Sequence, residues 1–274
     1  MPHHHNLRAN WATTGPQGVV TRGTTGYNRL RRSDRWSVFH SDIRRLLLTA
    51  DSPLAVDVGY GASHTTTCEW ASRLRTIRPD IAVIGLEIEP SRVLPPRDGV
   101  EFRLGGFELA GLTPHFVRAF NVLRQYDAAD VDGAWQEVTS RLAPGGMFLE
   151  GTCDELGRRS TWVLLNARGP QSLTLSWDPF DVERPSDVAE RLPKVLIHRN
   201  VPGEPIYDLL QAADRAWDMN AGWAPHGPRV RWRHTLAQLS VDYPVVVKRR
   251  RIRDNTLTIP FAEVAPEYAD GFIN

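Results

Sequence analysis

The period of the apolar positions changes along the chain, and each change marks an element. In "SDRWSVFHSDIRRLLLTA" the apolar residues Trp36, Phe39, Ile43, Leu46 and Leu47 fall at the spacing of one helix face, with Ser33 or Asp34 as N-cap. The short apolar run "PLAVDVG" predicts a buried strand, and "SHTTTCEWASRLRTIRP" a helix ended by Pro79. Apolar runs over 81–88, 100–105 and 116–123 predict three further strands. "DAADVDGAWQEVTSRLAPGG" predicts a helix with Leu142 on its apolar side and a Pro-Gly-Gly turn at its end, and "MFLEGT" a fifth strand. Strands alternating with helices at this spacing imply a parallel, doubly wound sheet.

The pattern then changes. "TWVLLNARGPQSLTLSW" reads as an antiparallel hairpin around a Gly-Pro turn. "SDVAERLPKVLIHRN" and "EPIYDLLQAADRAWDMN" read as helices, the first strained by Pro193, and "PVVVKRRRIRDNTLTIPF" as a second hairpin turning at Asp254-Asn255. The expected organisation is an N-terminal arm and helix over 1–50, an α/β domain over 51–180, and an appendage over 181–274 packed on the same core.

Composition narrows the class. At 274 residues, 41% hydrophobic and 24% charged, the chain reads as a globular protein with one sizeable core. It has no run of 18 apolar residues, so no membrane span is expected. "MPHHHNLRANWATTG" lacks the apolar stretch of a secretory signal. Cys68 and Cys153 are too few for a disulfide framework, which fits a cytoplasmic setting. Lys194 and Lys248 are the only lysines among 33 basic residues, a bias that fits a GC-rich bacterial genome. His3, His4 and His5 have no evident partner ligand, and no metal spacing is present.

Net charge is +1 but uneven. Residues 1–50 hold eight arginines against two aspartates, and residues 51–150 nine arginines against fourteen acids. A basic arm beside an acidic core implies either an anionic partner for the arm or an arm folded back on that core.

The candidate chemistry centres on "AVDVGYGASHTT", a strand, a glycine turn and a helix start. A dinucleotide fingerprint, G-x-G-x-x-G, fits Gly59 and Gly61 but meets His64 at its last position. Asp57, two residues before the first glycine, would repel a pyrophosphate. S-adenosylmethionine has no phosphate and carries a positive amine and sulfonium, so an acid at a strand tip suits it.

"VDVGYGAS" resembles the first motif of the class I S-adenosylmethionine-dependent methyltransferases, with Ser63 at the last glycine. "VIGLEIEPSRV", "FRLGGFEL", "FNVLRQY" and "RLAPGGMFLEGT" resemble the family's later landmarks in order, over residues 54–152. The resemblance implies a Rossmann-like methyltransferase fold, mostly parallel, with an antiparallel hairpin at one edge. It implies that Asp57, Gly59, Tyr60 and Gly61 form the cofactor turn and that Glu87, beside Ile88, accepts from the ribose hydroxyls. Gly106 and Phe107 would then cover the adenine, and Asn121 would stand in the loop above the methyl group.

The resemblance also implies that the arm over 1–50 forms a lid over the site, and acceptor residues are expected at the tips of the fourth and fifth strands and on that arm: Arg124, Tyr126, Asp154, Arg29, Arg31 and Arg32. Gln125, Thr152, Cys153, Glu155, Arg158 and Arg159 lie at the same tips. The implied activity is methyl transfer to an anionic acceptor, a small molecule before RNA, since no RNA-binding module is recognisable. Two other readings stand beside it: a non-catalytic S-adenosylmethionine-binding or interaction protein on the same fold, and an NAD-dependent oxidoreductase.

Overall fold

A computed structural model describes residues 15–21, 23, 25–246 and 256–266. The chain enters through α1 (Arg31–Phe39) and α2 (Ser41–Thr49). It then alternates through β1 (Leu54–Val58), α3 (Thr65–Leu74), β2 (Ala82–Glu87), β3 (Val100–Leu104), β4 (Phe116–Phe120), α4 (Ala128–Thr139) and β5 (Met147–Cys153). After the hairpin β6 (Arg159–Asn166) and β7 (Gly169–Trp177) come α5 (Lys194–Ile197), α6 (Pro205–Met219), α7 (Pro228–Leu239) and β8 (Thr256–Pro260).

The strands form one sheet in the order β3-β2-β1-β4-β5-β6-β7-β8. The first five are parallel, and β6, β7 and β8 add antiparallel at one edge. This is a doubly wound, Rossmann-like α/β sheet. Its order reverses between β1 and β4, and in such sheets ligands bind outside the carboxyl ends of the strands at that point.

Alternation along each strand sends residues to two cores. Ala55, Phe116, Leu149 and Trp162 pack with Trp36, Ile43, Leu47, Trp70 and Leu74 from α1, α2 and α3. Val56, Val117, Phe148 and Val163 pack with Val131, Val138, Leu196, Leu209, Ala213 and Trp232 from α4 to α7. Residues after 180 therefore cover the same sheet face as α4, not a core of their own.

Several elements differ from the sequence expectation. The helix expected over 33–50 is two helices, broken at His40, whose ψ is 124°. The break lets Trp36 and Ile43 both reach the sheet. Leu30, not Ser33 or Asp34, is the N-cap, and both polar residues are buried inside α1. The α3 helix stops at Leu74, short of Pro79. The hairpin turns at residues 167–168, where Asn166 Oδ1 accepts from Arg168 N–H at 2.8 Å. Pro170, lacking an N–H, sits beside a register shift in β7 instead. Pro193 splits the helix expected over 186–200 into a 3-10 segment, Pro185–Arg191, and the single turn α5. The sequence reading had no α7. Val246 N–H bonds to Thr258 O at 2.8 Å, but the expected turn at Asp254-Asn255, the basic run 248–253 and His3–His5 lie outside the described residues.

Candidate functional site

The tips of β1 to β4 converge at the switch point. Gly59 (φ 70°) and Gly61 (φ 85°) occupy the left-handed region that glycine tolerates. A Cβ on Gly59 would stand 2.6 Å from Val122 Cγ2, which follows β4, so the turn is pressed against the next strand tip. Gly59 N–H bonds to Leu86 O at 2.8 Å, and Tyr60 N–H to the same carbonyl at 3.4 Å. Tyr60 is buried, its hydroxyl donating to Arg92 O (2.9 Å) and accepting from Leu94 N–H (3.1 Å).

Glu87 ends β2 with no exposed surface. Its Oε2 accepts from Gly61 N–H at 3.0 Å, and its Oε1 accepts from Ile88 N–H (3.0 Å) and Glu89 N–H (3.3 Å). One carboxylate thus joins the glycine turn to the tip of β2.

Asp57 is also buried, but its carboxylate is engaged within the fold. Oδ1 accepts from Arg118 Nε at 2.9 Å, while Oδ2 accepts from Arg118 Nη2 (2.5 Å) and Thr67 Oγ1 (2.7 Å). Arg118, fully buried on β4, also donates to Asp34 Oδ1 at 2.7 Å and lies 4.4 Å from the Trp70 ring centre. Two carboxylates therefore share one buried guanidinium. Burial pushes the Asp34 carboxyl up to about 7, although Arg118 and Arg73 lower it. Asp34 meets Arg118 through a single oxygen, whereas Asp57 has the bidentate pair. Burial works against the Arg118 charge, but Asp57 and Asp34 outweigh it and raise its pKa.

The adenine side expected from sequence is lined by Ile88, Gly106 and Phe107, with Val122 and Tyr126 opposite. The N-terminal segment lies in the same space. Phe107 N–H bonds to Gln17 O (3.0 Å), Val19 N–H to Tyr126 Oη (2.7 Å), and Ala62 N–H to Gly23 O (3.1 Å). Burial raises the Tyr126 pKa, and the bond from Val19 lowers it.

At the tips of β4 and β5, Asn121 takes φ 61°. Its side chain clamps the two strands, with Oδ1 accepting from Cys153 N–H at 2.9 Å and Nδ2 donating to Cys153 Sγ at 3.2 Å. Burial pushes the Cys153 thiol up, against Arg29 and Asn121. Arg29 Nε donates to Asp154 O and Arg32 Nε to Gly157 O, each at 3.0 Å, and Arg32 also pairs with Asp178 at 3.3 Å. Asp154 organises its own turn through the N–H groups of Leu156, Arg158 and Arg159. Arg31 is exposed between its two anchored neighbours. Arg124 donates to Glu190 O at 3.0 Å. The arm is thus fastened to the β5–β6 loop, while Tyr126 and Phe107 face the other end of the cleft. Among the described residues no three His, Cys, Asp or Glu side chains converge as a metal group, and no helix is long and apolar enough to cross a membrane.

Sequence reasoning missed the Arg118, Asp34 and Thr67 network, and it offered residues 1–50 as a lid without showing that Gln17–Thr21 and Gly23 enter the cleft itself. A signal existed for Arg118: a guanidinium inside the apolar strand "FVRAF" requires buried partners.

No protein-family model matches the sequence, and no curated protein does. Solved structures resemble parts of it. The mitomycin 7-O-methyltransferase MmcR is similar over 45% of this chain and 36% of its own, at 16% identity and TM-score 0.34. The plantazolicin methyltransferase BpumL, solved in complex with SAH, is similar over 46% of this chain and 49% of its own, at 9% identity and TM-score 0.34. The CcbJ methyltransferase from Streptomyces caelestis is similar over 55% of this chain and 71% of its own, at 17% identity and TM-score 0.32. The chain spans less than half the length of the first two. The strand order, a parallel β3-β2-β1-β4-β5 with an antiparallel edge, is that of a doubly wound, Rossmann-like sheet.

Proposed function

We propose that the cleft at the β1–β4 switch point takes S-adenosylmethionine, and that the protein transfers its methyl group to a small anionic acceptor over the tips of β4 and β5. The hydrogen-bond state of the glycine turn carries this reading. The Gly59, Tyr60 and Gly61 N–H groups all have acceptors on β2, Leu86 O and Glu87 Oε2, whatever the N-terminal segment does. A pyrophosphate needs such donors free. The cleft offers an acceptor instead. A carboxylate has about four acceptor sites, and backbone N–H groups fill three of those on Glu87. The remaining site suits a ribose hydroxyl, and Ile88 and Phe107 give apolar walls. Asp57, neutralised by Arg118, no longer argues against a dinucleotide; the bonded turn does.

When bound, the cofactor supplies an electrophilic methyl group on a good leaving group. The chain's part is then to position and to exclude water. Asn121 sets the tips of β4 and β5, and Arg29 and Arg32 hold the start of α1 beside them. Arg31 is left as the cation for an anionic acceptor. Cys153, buried and with a raised pKa, stays a neutral thiol.

Calorimetry tests the cofactor. S-adenosylhomocysteine should bind near micromolar, about −8 kcal/mol, and NAD far more weakly; equal NAD binding refutes the reading. Methyl label transferred to a cell extract should remain in small molecules after ribonuclease treatment. Label that disappears with the RNA makes RNA the acceptor, and no label at all makes the protein a non-catalytic binder.

A further inference from the structure

The N-terminal segment competes for the space assigned above to the cofactor. Gln17–Thr21 and Gly23 cross the tips of four parallel strands and bond at each. Gln17 N–H donates to Glu108 Oε2 at 2.6 Å, and Gln17 O takes Phe107 N–H beyond β3. Val19 N–H donates to the Tyr126 hydroxyl oxygen beyond β4. Arg92 Nη1 donates to Thr21 O at 2.6 Å beyond β2, and Gly23 O takes Ala62 N–H in the turn after β1.

The glycines fit this segment. A Cβ on Gly106 would collide with the Gln17 carbonyl. One on Gly61 would stand 2.7 Å from Gly23 O, and one on Gly18 2.7 Å from Tyr126 Oη. Side chains are thus absent where the segment's backbone presses in, on both sides of the contact. Val19 is buried in the core beside Val58, Leu86 and Phe107. What remains of the cleft is a cavity of about 10 Å³, room for roughly one water. A loop passing by chance would not bond at four strand tips.

We infer that Gln17–Thr21 with Gly23 is an intrasteric strap: it fills the cofactor cleft, and S-adenosylmethionine binds only when it leaves. This rests on the methyltransferase reading. The strap-in state is the resting state, and apparent affinity is the intrinsic affinity scaled by the fraction with the strap out. Release of Gln17 and Gly23 frees the Phe107 and Ala62 N–H groups for the incoming ligand.

The test uses the full chain with S-adenosylhomocysteine as probe. Gly18→Ala puts a methyl group against Tyr126 Oη and strains a φ of 144°, so it unseats the strap while every residue of the strand tips keeps its identity. It should tighten binding about tenfold or more, as expected when the competent fraction is small. Hydrogen exchange on the wild-type protein needs no variant: the amides of Gln17 and Val19 should exchange faster once the probe is bound. Weaker binding by Gly18→Ala, with slower exchange in the wild-type strap, overturns the inference and makes the segment a lid that closes over its ligand. Equal binding with unchanged exchange also overturns it. Binding by neither protein overturns the cofactor reading itself, an outcome distinct from either of those.

Discussion

Glu150 lies in the middle of β5, 1% exposed, with no hydrogen-bond partner for either carboxylate oxygen. Two residues from Phe148, it shares that residue's face and so points into the core under α4 to α7, opposite the Asp34–Arg118–Asp57 network. Burial alone pushes its pKa up, from 4.5 to about 8. The sign follows from linkage. Below pH 4.5 both states hold the proton and burial costs little. As pH rises the unfolded chain ionises while the folded one does not, so stability falls, and it goes on falling until the folded group ionises near 8. Each pH unit in that window costs about 1.4 kcal/mol. From about pH 5 to about pH 7.5 the loss is roughly 3 kcal/mol, a large share of the 5–15 kcal/mol typical of a folded domain. Glu150→Gln keeps the shape and cannot ionise. Urea unfolding of both proteins across this range should show the variant gaining about 3 kcal/mol on the wild type between the two ends. Asp34 titrates in both proteins and cancels in the difference, and any fixed cost of burying the amide is the same at every pH. A difference that is flat within about 0.5 kcal/mol would show that water or a partner reaches Glu150 and that it ionises normally.

Three other outcomes are expected. Arg118→Met leaves Asp34 and Asp57 buried without their cation and should cost about 3–5 kcal/mol in urea unfolding; a loss under about 1 kcal/mol would mean the carboxylates were already protonated. Glu87→Ala should weaken S-adenosylhomocysteine binding at least tenfold, given charge-assisted bonds of roughly 1.5–3 kcal/mol. It should also lower the melting temperature, because the same oxygens hold three backbone N–H groups; a lower melting temperature with unchanged binding would make Glu87 a loop clasp only. Arg31→Ala should raise the acceptor KM and leave melting unchanged, whereas Arg29→Ala and Arg32→Ala should lower melting, since they anchor α1 to the β5–β6 loop; a normal KM for the Arg31 variant would refute its role.

What was legible in the sequence was what hydrophobic period encodes. β1 to β5 and their parallel pairing follow from apolar runs alternating with helical segments, and the glycine turn follows from two glycines one residue apart. The breaks were less visible. Nothing in "SVFHSDI" marks His40 as a break, because the break is set by where Trp36 and Ile43 meet the sheet. The helix α7 was missed because arginines at 229, 231 and 233 obscure the Trp232, Thr235 and Leu239 stripe that it buries.

Side-chain destinations were the least legible, and Asp57 shows why. An acid at the tip of a strand reads the same whether it faces a cofactor or a guanidinium on the next strand. The pairing of Asp57 with Arg118 is also the β1–β4 register, so the two residues are exact neighbours in the sheet although 61 positions apart in the chain. Only a topology that sets β4 beside β1 brings them together, and the reversal of strand order that opens the ligand cleft is the same event. The buried ion pair thus pins the junction at which the cleft forms. Its carboxylate serves the walls of the site, which leaves Glu87 as the acid whose remaining acceptor site faces the space the strap now fills.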